Sequence, residues 1–279
     1  MTRVALFVEG SEAPPHGRRK PALEAIWTEL LGEALGIRHF DLIFPISKKN
    51  LVAMDRKKPA MSGAGEALDQ LMVRKLKTNT FQAAVVAWDV VPAWNPAGNF
   101  CRWQETLDFY RGLSDSKCLP DSWTSNAQRR FDELSLRQSP SDRVAPPPLE
   151  QWAIQAVCME PMFEALLTQN ERYIRRVLGL SVKPPGWPTK GWADPNERQP
   201  DTRVLGPVVR AASKVRPKLQ AVKHIRGDLR TRKNEWGEYL LRGLLSDSQA
   251  RQDILEHPIV CRLKEVAPIN PGSSGGGEG

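Results

Sequence analysis

The chain has 279 residues, 41% hydrophobic and 26% charged, a balance that supports a folded globular protein and excludes a disordered one. Lys and Arg number 40 against 32 Asp and Glu, a formal net charge of +8, which favours a polyanionic partner such as nucleic acid. No stretch approaches the roughly 18 apolar residues of a membrane span, and the apolar start at 4–8 is too short for a signal-peptide core, so a cytoplasmic location without a membrane partner is expected.

Val4 to Val8 is a β-rich apolar run that stops at Glu9-Gly10, and apolar residues at helical spacing follow from about Ala22 to Leu35. A second run, Leu42 to Ile46, precedes a basic loop with Lys48, Lys49, Arg56, Lys57 and Lys58, then a helical pattern from about Ala64 to Leu76. Ala83 to Trp88 is the most apolar run in the chain and ends at Asp89, which suits a central strand buried on both faces. Three strand-helix units in succession predict an α/β fold, Rossmann-like, with a mostly parallel sheet flanked by helices.

Further helices are expected at Trp103 to Leu113 and Asn126 to Leu136, followed by a Pro-rich connection at 139–148. Gln155 to Met159 reads as another strand, and Met162 to Leu167 opens a helix running towards Leu178. The stretch 182–203, with five prolines and two tryptophans, reads as an inserted loop. Helical patterns from Trp236 to Leu245 and from Ser248 to Val266 give a helical C-terminal part, and the Gly/Ser-rich end reads as a disordered tail or linker. The expected organisation is one domain over 1–268, with loop insertions at about 90–150 and 182–203 and the tail at 269–279.

The four cysteines, Cys101, Cys118, Cys158 and Cys261, are far apart without a C-x-x-C pair, so neither a disulfide nor a zinc site is expected. None of the four histidines has a second ligand at metal spacing. The carboxylates are different. Side chains at the carboxyl ends of parallel strands share a crevice, and Glu9 and Asp89 both take that position. Two converging carboxylates supply oxygen ligands for Mg2+, and Gly10 would let a phosphate approach the backbone. From Arg203 to Lys233 the chain carries ten basic residues and one acidic residue, Asp228, a tract suited to gripping phosphates through Lys223, Arg226, Arg230, Arg232 and Lys233.

The Val8-Glu9-Gly10 turn after an N-terminal strand, together with an Asp ending the third strand, resembles a Toprim domain, the Mg2+-binding module of topoisomerases, primases and several nucleases. The likeness extends to a Toprim-like group of small prokaryotic proteins linked with phage defence. It is carried there by Phe163-Glu164-Ala165-Leu166-Leu167 and by Asp253-Ile254-Leu255-Glu256-His257-Pro258. The resemblance implies a Mg2+- or Mn2+-dependent nuclease held by Glu9, Asp89 and Glu164, working in antiviral defence beside a partner ATPase or another subunit of a defence complex. Two departures stand out. Ser11-Glu12 replaces a Thr-Glu pair and comes one residue early, and Val91 takes the place of the second Asp of an Asp-x-Asp pair. The alternative is therefore a Toprim-like subunit with an eroded site that binds nucleic acid or a partner without cleaving. Asp41, Glu105, Asp108 and Glu160 are further candidates for the missing ligand, with Glu164 favoured by the resemblance.

Each position also has a purely structural reading. Glu9 can be a surface residue at a strand end, Asp89 an N-cap or Asx-turn residue before Pro92, and Glu164 an acid in a first helical turn. The cationic tract can be a solvated helix face, and the loop tryptophans Trp94, Trp187 and Trp192 can pin loops or face a partner protein.

Overall fold

The runs 4–8 and 83–88 contain no polar residue that could face water, and both become central strands of one sheet. The computed structural model describes residues 3–10, 20–35, 40–47, 50, 66–89, 103–117, 119–139, 142, 153–159, 161–194, 197, 199–215 and 232–265. Its strands are β1 (Val4–Glu9), β2 (Phe40–Ile46), β3 (Ala83–Asp89) and β4 (Ile154–Met159), all parallel in the order β2-β1-β3-β4. The helices are α1 (Ala22–Leu35), α2 (Leu68–Thr78), α3 (Trp103–Ser114), α4 (Asp121–Ser135), α5 (Glu171–Val177), α6 (Gly206–Val215), α7 (Lys233–Leu245), α8 (Ser248–Glu256) and α9 (Pro258–Glu265). The expected α/β fold with a helical C-terminal part is therefore what the chain forms.

Side chains of a strand alternate between its two faces, and the core divides accordingly. Val4, Leu6, Val8, Ala83, Val85 and Ala87 pack with α1 and with α6 to α9, where Trp27, Leu30, Val208, Trp236, Leu240 and Leu263 are buried. Ala5, Phe7, Ala84, Val86 and Trp88 point the other way, onto Leu68, Met72, Phe109, Tyr110, Trp123 and Leu134 of α2, α3 and α4. The result is three layers, helices over both faces of the sheet. Each fully buried Val, Leu or Phe contributes about 1.5–3 kcal/mol relative to an exposed one, so these two faces carry most of the driving force for folding.

β4 lies at the edge of the sheet, where unpaired donors would invite another strand. Side chains occupy two of them: Ile154 N–H donates to Asn126 Oδ1 (3.3 Å) and Ala156 N–H to the Tyr110 hydroxyl (3.0 Å).

Two expected helices are each divided. Phe163–Leu167 is a single 3-10 turn, not the start of a helix reaching Leu178. Asn170 interrupts it, because its side chain accepts from Arg172 N–H and caps the start of α5 instead. The pattern from Ser248 to Val266 breaks at His257-Pro258, since proline cannot donate into a preceding turn but fits the first turn of a new helix. α4 begins at Asp121, five residues before the expected Asn126. The insertion expected at about 90–150 contains α3 and α4, while 90–102, most of the 139–148 connection and the tail lie outside the described residues.

His257 caps α9 by accepting from Ile259 N–H through Nδ1 (3.2 Å), and burial lowers its pKa from the ordinary 6.5 to about 4. The folded state therefore refuses a proton that the unfolded chain takes up below pH 6.5, so stability is full above that value and falls as the pH drops towards about 4. His257→Asn keeps a cap acceptor without a titrating ring. The variant is expected to melt at nearly the wild-type temperature at pH 7.5 and above it at pH 5. Parallel acid-side melting curves for the two proteins would refute this.

Candidate active site

β1 continues to β2 on one side, while β3 joins β1 on the other, so the chain changes direction across the sheet between β1 and β3. Open parallel sheets bind ligands beyond the carboxyl ends of the strands flanking such a point. Glu9 ends β1 and Asp89 ends β3, and the two meet there: Asp89 N–H donates to Glu9 Oε2 (3.1 Å). Asp89 in turn accepts from Phe163 N–H through Oδ1 (3.0 Å), which ties the 3-10 turn after β4 to the end of β3.

That turn brings Glu164 into the same cavity, of about 250 Å3, together with Glu9, Gly10, Asp89, Lys233 and Asn234. Leu23, Ile26 and Trp27 of α1, with Leu167 and Leu205, form its apolar wall, and Trp27 packs on Phe163 with ring centroids 5.5 Å apart. α7 approaches α1 closely at Gly237, where an added Cβ would stand 3.3 Å from Ile26 Cδ1. This close packing sets the first turn of α7, and with it Lys233, over the end of the sheet. Gly10 is equally constrained, since a Cβ there would come within 2.8 Å of Leu23 Cδ1.

Glu164 is only 5% exposed. Its Oε1 lies 2.8 Å from Lys233 Nζ, and its Oε2 is buried with no hydrogen-bond partner among the described residues. Lys233 also reaches Asp201 Oδ2 at 3.4 Å. Asp201 opens a π-type turn (Asp201–Leu205), a local irregularity that often marks functional sites. The electrostatics follow from Glu164, Asp89 and Asp201 sharing one ammonium group, with Glu9 beside Asp89. Burial first, then the charges of Glu9 and Glu164, hold the Asp89 carboxyl well above the ordinary carboxylate range, against the opposing pull of Lys233 and of the Phe163 N–H. For Lys233, burial lowers the pKa, but Glu164, Asp89 and Asp201 together outweigh it and keep the ammonium charged.

The structure thus brings Glu9, Asp89 and Glu164 to one cavity. Among the described residues no three His, Cys, Asp or Glu side chains are gathered as a metal-holding group, and Glu164 is turned onto Lys233. Of the residues expected to grip phosphates, Lys233 sits inside the carboxylate cluster rather than on a cationic surface, and Arg232 pairs with Glu235 (3.0 Å) at the start of α7. Lys223, Arg226 and Arg230 lie outside the described residues, as do Val91, Trp94 and Glu160. The side chains of Asp41 and Glu105 are not described, and Asp108 is 3.9 Å from Arg111 on α3, among the helices of the opposite face from Glu164. Trp187 and Trp192 stack on each other at 5.9 Å within the 182–203 loop, with Trp187 buried, which agrees with loop pinning. Asp201 went unrecognised in the sequence. A lone Asp after a proline in a long loop carries no periodic or motif signal.

No family model, curated protein or solved structure matches this chain.

Proposed function

We propose that the chain is a Mg2+- or Mn2+-dependent phosphodiesterase of Toprim-like type that cleaves nucleic acid at the Glu9, Asp89 and Glu164 cavity. The observation that carries this reading is the convergence of these three carboxylates at the point where the sheet changes direction. Their donors are all hard oxygens, as Mg2+ requires, and Glu164 Oε2, which has no hydrogen-bond partner among the described residues, is an oxygen open to a cation. Charge supports the same reading. Among the described residues Glu9, Asp89 and Glu164 face the single ammonium of Lys233, so the cavity repels a phosphodiester unless more positive charge enters with it.

Glu9, Asp89 and Glu164 would hold the ion, which when bound polarises a phosphodiester and neutralises the charge that develops on it. Asp89 N–H fixes the Glu9 carboxylate, and Phe163 N–H fixes that of Asp89, so both acids are oriented before substrate arrives. The apolar wall of α1 limits water and strengthens every charge interaction inside. In place of holding the ion, Glu9, at the strand end beside Gly10, would take or give the proton of the attacking or leaving oxygen. The antiviral setting and a partner ATPase rest on the sequence resemblance alone.

A second reading is favoured by the Lys233–Glu164 pair: a Toprim-like subunit whose site has lost the metal and which binds nucleic acid or a partner protein in a larger defence complex. Cleavage of single- and double-stranded DNA and of RNA, with EDTA, Mg2+ or Mn2+, separates the two. Metal-dependent cleavage that Glu9→Gln lowers at least about a hundredfold supports the nuclease. Salt-sensitive binding without cleavage in any metal supports the binding subunit.

A further inference from the structure

We infer that Lys233 is a cation the site carries for itself: its ammonium occupies Glu164 and must leave that carboxylate before Glu9, Asp89 and Glu164 can gather on one divalent ion. This deepens the metal-dependent reading above and rests on it.

Three observations carry the inference. Glu164 is buried and, among the described residues, only half satisfied, with Oε1 on Lys233 Nζ at 2.8 Å and Oε2 without a hydrogen-bond partner, so the ammonium neutralises the carboxylate without filling its coordination. Lys233 already reaches a second carboxylate, Asp201 Oδ2 at 3.4 Å, so on leaving Glu164 it still keeps one ion pair. The stem of a lysine allows such a move, because its ammonium is a point charge on four flexible carbons and not a planar fork fixed to one partner. Asp201 is then the holding residue for the displaced lysine, and Lys233 a positioning residue whose removal frees Glu164. A divalent ion brings twice the charge of an ammonium to the same oxygens, and Lys233 opposes it both by occupying Glu164 and by like-charge repulsion.

The test is calorimetric titration of the full-length protein with Mn2+ for wild type, Lys233→Met, Lys233→Arg and the double variant Lys233→Met/Glu164→Gln, with melting temperatures measured in EDTA and in Mn2+. Lys233→Met is expected to bind Mn2+ at least about tenfold more tightly than wild type, and its melting temperature is expected to rise more on adding Mn2+. Lys233→Arg, which keeps the charge, is expected to show no gain, and neither is the double variant, which lacks the freed carboxylate. If wild type binds Mn2+ and Lys233→Met binds no more tightly, the displacement is overturned while the metal site stands. If neither protein binds Mn2+, both fall. A gain that persists in the double variant or appears in Lys233→Arg also overturns the inference, because it would not run through Glu164 and the lysine charge. Where Lys233→Met melts too low to titrate, Lys233→Gln, which is also neutral, takes its place with the same tightening expected, and a wild-type affinity in that variant overturns the inference.

Discussion

Trp88→Ala is expected to destabilise the protein by about 3–5 kcal/mol, the range for deleting a large aromatic side chain from a packed core. Trp88 is fully buried on β3, on the face covered by α2 to α4, and its ring meets Phe109 edge-on with centroids 5.9 Å apart. The neighbours are rigid elements of the sheet and of α3, so little collapse into the vacated space is available. Trp88 also has an indole N–H with no hydrogen-bond partner among the described residues. A buried donor left unmade costs about 1–3 kcal/mol, so Trp88→Phe, which removes it together with part of the ring, is expected to lie within about 1–2 kcal/mol of wild type. Chemical denaturation of the three proteins measures both values. An alanine variant within about 1 kcal/mol of wild type, or a phenylalanine variant as unstable as alanine, would show that the packing at this position is not what holds β3.

Trp88 also shows why the sheet was legible in the sequence. Runs such as 4–8 and 83–88 are apolar at every position because both faces of the strand are covered, and no other local pattern competes with that reading. Glu9 and Asp89 were legible for the same reason: each is the first charged residue after such a run. The helical boundaries were less so. The break between α8 and α9 is written in Pro258, but the apolar periodicity continues across it and hides the change of axis. The turn at Phe163–Leu167 looks helical in composition, and only the cap at Asn170 ends it.

Lys233 was the least legible part of the site. Its charge belongs, by position, to the basic tract from Arg203, yet its partners are Glu164 and Asp201, far away in sequence. What places it among carboxylates is the docking of α7 on α1 through Gly237, a tertiary contact with no local signature. Net charge over a segment is a sequence property. The field a charge meets is a property of the fold.

Asp89 is where that field acts most strongly, and Asp89→Asn is expected to raise the melting temperature at neutral pH in EDTA. The cause is burial first and then the charges of Glu9 and Glu164, which together hold its pKa well above the ordinary 3.8. Below that value both folded and unfolded chains hold the proton, and Asp89 has no pH-dependent effect. Above it the unfolded chain releases the proton while the folded one keeps it, so folding becomes less favourable with rising pH until the folded state also ionises. Asparagine carries no such penalty. Its Oδ1 can still accept from Phe163 N–H, which orients Asp89 at 3.0 Å, and its Nδ2 adds a donor facing the neighbouring carboxylates. Relief of a functional-site penalty commonly yields about 0.5–2 kcal/mol, which for a protein of this size is a rise of roughly 1–8 °C. Melting curves of the two proteins from pH 4 to pH 8 should therefore nearly coincide at the acid end and separate as the pH rises, with the variant higher. Mn2+ should narrow the gap from the wild-type side, because only the carboxylate gains from binding it. A gap that is constant with pH, or a variant that melts lower at pH 7.5, would mean that Asp89 serves the structure of the sheet edge and that its charge is not held there for chemistry.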